Sequence, residues 1–213
     1  MSWSLSEIEG LARKAARGSG FSWGMAEEAG KTVRWLAGIG LPGPEVLADF
    51  LEAHDRTPHA RMRPCDTGLD TWTAASGVIC PISAGAALCD LAQSDAPSRD
   101  IDIRNCAHPL LLVPFVRAAA EDGAQAERVI WEGGEFAFAA DVRGQSDAPM
   151  APLADIRVQH GVNDALPLPA CQLRYDLAEG PAARLAALAA RTYAPDTEES
   201  RTTGAGAGGA DTD

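Results

Sequence analysis

One cysteine lies where a strand is predicted to end and a helix to begin. Cys80 is followed by Pro81, Ser83 and Gly85, and a helix N-terminus at this point would lower the pKa of a thiol toward the range of a nucleophile. Cys80 is therefore a candidate catalytic residue, and Ser83 and Gly85 are candidate ligand-binding residues. The structural alternative is a small buried thiol at Cys80 and close helix packing at Gly85. That alternative is favoured because no motif positions a general base beside the thiol.

A glycine-rich turn joins the first two predicted helices. Gly18, Gly20 and Trp23 lie in the segment Gly18–Gly24, whose backbone N–H groups could hold an anion together with the N-terminus of the second helix. A helix precedes this turn, so the segment is neither a dinucleotide-binding fingerprint, which needs a strand there, nor a P-loop. A glycine cap, a tight turn and a packed tryptophan explain the same residues. Gly18, Gly20 and Trp23 are the candidate ligand-binding residues of this turn.

Two loops combine histidine with cysteine. His54, His59 and Cys65 belong to the densest group of potential metal ligands, but their spacing matches no established metal motif and a proline between the histidines would interrupt a helix. The sequence therefore predicts no metal site. Cys106 and His108 share a predicted strand-to-helix loop, and His108 is a second candidate catalytic residue. A capping or surface role for this histidine is the more ordinary interpretation.

The first third of the chain is predicted to be helical. Ser4 and Glu7 form a capping box before a helix at about 5–17. A second helix is expected at 22–38, and a third begins near Pro44 and ends at about residue 53. Together they predict a three-helix N-terminal unit.

The rest of the chain is predicted to mix strands and helices. In the segment 129–138, Gly133 and Gly134 separate two apolar runs, which predicts a β-hairpin. The remaining predicted strands lie at 72–79, 100–104, 154–160 and 171–175, and the predicted helices at 83–93, 109–121 and 181–193.

This order of elements predicts an α+β fold. We expect a single domain over residues 1–194, made of a helical subdomain at 1–54 and a mixed α/β subdomain at 69–194. Residues 195–213 are rich in acidic residues, glycine and alanine, and a segment of this composition is expected to form a flexible tail.

Composition limits the partners and the compartment. The 213 residues contain 18 Lys+Arg and 30 Asp+Glu, for a net charge of −12, which opposes binding to nucleic acid or to an anionic membrane surface. The sequence begins without a recognisable secretory signal and contains no apolar run long enough for a membrane span, so a cytoplasmic location is expected. Five irregularly spaced cysteines predict reduced thiols.

Several segments of the chain resemble an uncharacterised bacterial family of unknown function. They are SLSEIEG at 4–10, KAARG at 14–18, FSWGMAEEAG at 21–30, CPISAGAAL at 80–88, PLLLVPF at 109–115, and the ending from ESR at 199–201 through GAGAG to the two final aspartates. The resemblance implies no activity, cofactor or catalytic residue. It implies only that the C-terminal tail belongs to the working part of the protein. The acidic, glycine- and alanine-rich composition of the tail separately suggests a contact for a partner protein or for a second copy of the chain.

Two functions remain open at this stage. The first is a cytoplasmic bacterial enzyme acting on a small organic acid without a dinucleotide cofactor, and it rests on the two glycine-containing turns, the thiol and scattered arginines that suit an anionic metabolite. The second is a non-catalytic accessory or small-molecule-binding subunit that docks onto a partner enzyme. The enzyme hypothesis requires one pocket lined by Gly20, Trp23, Cys80, Ser83 and a buried arginine.

Overall fold

Three helices open the chain, which confirms the predicted N-terminal unit. A short strand, β1 (Ser2–Ser4), precedes α1 (Leu5–Gly18), α2 (Trp23–Gly38) and α3 (Gly43–Ala53). The capping box is present: the Ser4 hydroxyl accepts the Glu7 backbone N–H, and the Glu7 carboxylate accepts the Ser4 N–H. The residues described by the computed structural model are 2–95, 97–123, 127–138, 142–146, 149–161 and 171–193.

Strands and helices alternate irregularly through the rest of the described chain. Two short 3₁₀ turns lie at His59–Arg61 and Pro109–Leu112, and the second leads directly into a helix. The remaining elements are β2 (Thr71–Trp72), α4 (Pro81–Ala92), β3 (Ile101–Ala107), α5 (Val113–Asp122), β4 (Glu127–Trp131), β5 (Gly134–Phe138), β6 (Val142–Ser146), β7 (Leu153–His160), β8 (Arg174–Asp176) and α6 (Glu179–Ala190).

One six-stranded sheet organises the second part of the molecule. Its strand order is β2-β3-β7-β4-β5-β6; β2 runs parallel to β3 and every other neighbouring pair is antiparallel. The predicted hairpin is confirmed as β4–β5, whose turn contains Gly133 at φ +87°. A second small sheet pairs β1 with β8. The predicted α+β class is therefore confirmed.

The helices pack on the sheet and on one another. On the sheet, α5 contacts β4 and β5, and α4 packs against α5. At the other end of the chain, α6 packs on α1. A continuous cluster of buried apolar side chains runs from α1 through the sheet to α6, so the helices and the sheet share one apolar core.

Some predicted boundaries differ from the observed ones. The strand expected at 72–79 is reduced to β2 and an isolated bridge between Ile79 and Cys106 of β3, because the chain turns between them at residues 75–78. Helix α4 begins at Pro81, earlier than predicted, since proline is well suited to the first turn of a helix. The predicted tail at 195–213 lies outside the described residues. Among the described residues, no helix is long and apolar enough to cross a membrane.

Candidate functional site

A pocket of about 230 Å³ lies where α4 and α5 meet the end of the six-stranded sheet. We name it the Glu127 pocket. Aliphatic side chains form much of its wall, and three charged or titratable residues enter it: Arg99, Glu127 and His160. The aliphatic side chains are Leu88, Leu91, Ile101, Val116 and Val158.

Strand alternation places Glu127 in this pocket. Along β4, Glu127, Val129 and Trp131 are buried while the residues between them are partly exposed, as expected for a strand with one face on the core. In the sheet register, Glu127 pairs with His160 and Val129 pairs with Val158. An acidic and an imidazole side chain are therefore neighbours on a sheet face that is otherwise apolar.

The two side chains form a close ion pair. Nδ1 of His160 lies 2.5 Å from Oε1 of Glu127, whose side chain is only 6% exposed. The other carboxylate oxygen, Oε2, is buried and has no hydrogen-bond partner among the described residues. The hydrogen bond to Glu127 raises the pKa of His160 and outweighs burial, which acts in the opposite direction. The pair thus holds a protonatable group and an unpartnered acceptor at one point in the pocket.

Arg99 is held at the pocket by residues that precede β2. Its Nε lies 2.9 Å from the carboxylate of Asp70, and its Nη2 donates to the Thr67 carbonyl oxygen at 2.7 Å. A hydrogen bond between the His160 imidazole and the Arg99 backbone also contributes to the raised pKa of His160. The guanidinium is thereby engaged within the chain, and the loop that carries it is tied to the ion pair.

A second concavity, the α2–α4 groove, measures about 700 Å³. It is larger and more open to solvent than the Glu127 pocket. It is lined by residues from both segments that the sequence predicts as ligand-binding turns, one before α2 and one at the start of α4. Ser22 caps α2, Ser83 is the third residue of α4, and both line the groove beside Arg63 and His59. The candidate ligand-binding residue Ser83 is thus located in a groove, but Gly18, Gly20, Trp23, Cys80 and Gly85 are not among its lining residues.

The candidate glycines have packing roles. A side chain at Gly18 would overlap the backbone carbonyl oxygen of Leu188 in α6, and one at Gly85 would overlap the ring of Phe115 in α5. Gly20 adopts φ +107°, a conformation that other residues rarely reach. Trp23 is 63% exposed. The guanidinium carbon of Arg17 lies over its ring, 5.0 Å from the ring centre, in a cation–π contact.

Cys80 is fully buried at the N-cap of α4. Burial raises the pKa of its thiol, and hydrogen bonds with Ser83 only partly offset this. The shift is opposite to the lowering expected at a helix N-terminus, because loss of hydration outweighs the helix dipole in a site without water access. In this environment Cys80 has the properties of a core thiol.

His108 is buried too, with 4% of its surface exposed, and it adopts φ +43° before the second 3₁₀ turn. Burial lowers its pKa to about 4. Its ring meets that of Phe50 edge-on, with the centroids 6.1 Å apart, and it lines neither the Glu127 pocket nor the α2–α4 groove. No group of three or more potential metal ligands among the described residues has an arrangement that could hold a metal ion.

Residues 3–102 match the model of a family described as a protein of unknown function (DUF3726). The predicted resemblance to an uncharacterised family is confirmed over these residues. No curated protein and no solved structure matches the chain. The part that matches DUF3726 includes the α2–α4 groove and Arg99, whereas Glu127 and His160 lie beyond it.

Sequence reasoning missed Glu127 and His160. The predicted strand began at residue 129, which left Glu127 outside it, and His160 appeared only as a strand end. The alternation of β4, extended backward by two residues from Val129, puts Glu127 on the inner face. An acidic residue on the inner face of a strand could have been recognised in the sequence as a candidate site residue, because acidic residues are rarely buried without a partner.

Proposed function

We propose that this chain is an enzyme that binds a small organic molecule in the Glu127 pocket and exchanges a proton with it through the Glu127–His160 pair. The observation that carries the proposal is that Glu127 and His160, two neighbouring titratable residues, line one pocket together with aliphatic side chains, and that the buried Oε2 of Glu127 lacks a hydrogen-bond partner among the described residues. Buried polar atoms are nearly always hydrogen-bonded, and leaving one unpartnered costs about 1–3 kcal/mol. A ligand that supplies the missing hydrogen bond removes this cost.

The ion pair also suits acid–base chemistry. The Glu127 carboxylate raises the pKa of His160 from its ordinary value of 6.5, which increases the protonated share of the imidazole at any given pH. General acids and bases work best when their pKa lies near the working pH, and a titratable pair in an apolar pocket is typical of such sites. Glu127 orients the imidazole and stabilises its charge, while Oε2 contacts the bound molecule.

Blocking the pocket tests the binding half of this proposal. Ala92 lines the pocket at the end of α4 and is partly exposed, so Ala92→Phe fills space at the rim without replacing a buried core residue. We expect a fragment screen of the full chain by methyl NMR to find molecules that shift Leu88 and Val158, and Ala92→Phe to abolish those shifts. Fragments that bind both proteins equally, with the same shifts, would contradict the proposed site.

The catalytic half is tested with any fragment that binds. Turnover of close chemical relatives of that fragment should be lost in Glu127→Gln and retained in Glu132→Gln, a matched change at an exposed position of the β4–β5 turn. If binding is retained and no relative is converted, the pocket is a binding site in a non-catalytic subunit.

A small organic acid in the α2–α4 groove is the second candidate function. The favouring observation is that Ser22 and Ser83, at the N-terminal ends of two helices, line one groove with Arg63. Arg63 is exposed and makes no ion pair with any described residue, so its guanidinium is available for a carboxylate. Thermal-shift titration with citrate and acetate tests this: stabilisation should be lost in Arg63→Gln but retained in Arg56→Gln, whose side chain is 86% exposed.

A further inference from the structure

We propose that the acidic segment at residues 196–199 binds to a positively charged surface on α1 of the same chain. We name this surface the α1 cation patch. It consists of three cationic side chains and the two aromatic rings beside them: Arg13, Lys14, Arg17, Trp23 and Tyr193. None of these residues lines the Glu127 pocket, so the patch is a separate feature of the molecule.

The three cations of the patch lack acidic partners in the part of the chain that the structure describes. Arg17 lies three residues after Lys14 and four after Arg13, so all three side chains project from one side of α1. None of them makes an ion pair with a described residue. Other cations close to α1 are paired with acids, as in Arg34–Glu9 and Arg191–Asp55. The patch therefore has unused positive charge in a chain whose net charge is −12.

Two exposed aromatic rings extend the patch. The guanidinium carbon of Arg17 lies 5.0 Å from the centre of the Trp23 ring, and Nζ of Lys14 donates to the Tyr193 hydroxyl at 3.2 Å. Both rings are 63% exposed, and exposed aromatic rings are typical of protein binding surfaces. Even when Glu27, an exposed acid one turn after Trp23, is included, the surface has three positive charges against one negative.

The position of Tyr193 identifies the segment that binds there. Tyr193 contacts Lys14 and immediately precedes the acidic part of the chain. Asp196, Glu198 and Glu199 follow within six residues, which span at most about 20 Å when fully extended. Lys14 and Arg17 are only about 4.5 Å apart along the axis of α1. The three carboxylates are therefore within reach of the whole patch.

Linkage within one chain favours this segment over a separate acidic molecule. Single exposed ion pairs are weak, and a second molecule of net charge −12 is repelled by the first. A short linker instead holds the carboxylates near the patch at an effective concentration on the order of millimolar. The contact within the chain thus forms without the entropy loss of bringing two molecules together.

Trypsin cleavage after Arg201 tests this contact in the full-length chain. Arg201 lies two residues beyond Glu199, so binding of the acidic segment should shield it, and the cleavage rate follows the unbound fraction. The variant Lys14→Gln/Arg17→Gln removes two cations and leaves the cleavage sequence unchanged. We expect this variant to release the fragment 202–213 at least about threefold faster at low ionic strength. Salt at about 1 M should remove the difference, because it screens exposed charges.

The matched control is Lys31→Gln/Arg104→Gln, which removes two exposed cations that already pair with acids elsewhere. It changes the net charge equally but leaves the patch intact, so the cleavage rate should not change.

NMR of the Trp23 indole N–H provides a second measurement. Its signal should shift in Asp196→Asn/Glu198→Gln/Glu199→Gln and stay in place in the control Asp211→Asn/Asp213→Asn. These variants change no residue of the described structure, so this test decides the question even if the α1 variant does not fold.

The alternative outcomes are distinguishable. Equal cleavage rates in the unmodified chain and in Lys14→Gln/Arg17→Gln at low ionic strength would overturn the proposal, as would equal acceleration in the Lys31→Gln/Arg104→Gln control. Protection of Arg201 that weakens on dilution would show that the acidic segment binds a second copy of the chain instead. A Trp23 signal that shifts equally in both tail variants would exclude residues 196–199 as the specific binding segment.

Discussion

Glu127 and His160 are register partners on the antiparallel strands β4 and β7, and Nδ1 of His160 lies 2.5 Å from Oε1 of Glu127. The next inward pair along these strands is Val129 with Val158. A second apolar pair in place of Glu127 and His160 would complete this sheet face without burying any charge. Replacing a buried ion pair by apolar residues of similar volume is often neutral or stabilising. The packing of this sheet face therefore does not by itself require a polar pair, which favours the proposed role of the two residues in the pocket.

The ionisation of His160 provides the first prediction. Its pKa, measured by NMR titration of the imidazole, should lie above 6.5, since the Glu127 carboxylate stabilises the imidazolium. Because the pKa of His160 is higher in the folded chain than in the unfolded chain, the pair contributes its full stabilisation at pH values below the unfolded-state pKa. This contribution is lost as the pH rises through the folded-state value.

Variants of the acidic partner check that assignment. Glu127→Gln should lower the pKa of His160, because burial, which opposes the charged form, then acts without the carboxylate. Glu132→Gln should leave it unchanged. An unchanged pKa of His160 in Glu127→Gln would show that the two groups do not interact in solution.

His108 should make the protein sensitive to acid. Burial lowers its pKa from 6.5 to about 4, so between these values the unfolded chain binds a proton that the folded chain does not. The free energy of unfolding should fall by about 3 kcal/mol over this interval from His108 alone. His54 and His59, whose pKa values burial also lowers, act in the same direction, whereas the nearby charge of Asp49 opposes the shift of His108.

Urea unfolding at neutral pH and at about pH 4.5 measures this dependence. His108→Asn removes the titrating group, and asparagine tolerates the left-handed backbone found at this position. The variant should lose less stability on acidification than the unmodified chain. Equal losses in the two proteins would assign the acid sensitivity to other groups.

Local signals predicted the fold better than the site. The capping box of Ser4 and Glu7 involves residues three apart, and the β4–β5 hairpin depends on a two-residue turn, so both can be recognised in the sequence. The Glu127 pocket depends instead on the pairing of β4 with β7, which brings together side chains distant along the chain. No spacing rule gives that register.

The same limit explains the assignments of Cys80 and Gly18. A helix N-terminus predicts a lowered thiol pKa only if the thiol keeps contact with water, and the sequence does not show that Cys80 is buried in the core. Similarly, the sequence explains Gly18 by a local turn at the end of a helix. It does not show that Leu188, from a helix near the other end of the chain, packs closely against this glycine.

Thiol labelling should follow burial. Cys65 and Cys171 are exposed and should react first with iodoacetamide, whereas Cys80 and Cys106 are buried and should react only after unfolding. Cys89 is half-buried, and its pKa is raised to about 11 mainly by burial, so it should react slowly. Mass-spectrometric mapping over time gives the order directly. Rapid labelling of Cys80 in the folded protein would restore it as a nucleophile candidate.

Two glycines of α1 provide a matched pair of substitutions. Gly18→Ala should destabilise the protein by about 1–3 kcal/mol, because its methyl group would overlap the Leu188 carbonyl oxygen and separate α1 from α6. Gly10 lies in the middle of the same helix with nothing within 4 Å of an added methyl group. Gly10→Ala should therefore stabilise it by about 0.5–1 kcal/mol, as alanine favours a helix over glycine. Chemical unfolding of both variants measures the difference. A Gly18→Ala protein of unchanged stability that loses binding of citrate or acetate would instead support the anion-binding interpretation of the turn that begins at this glycine.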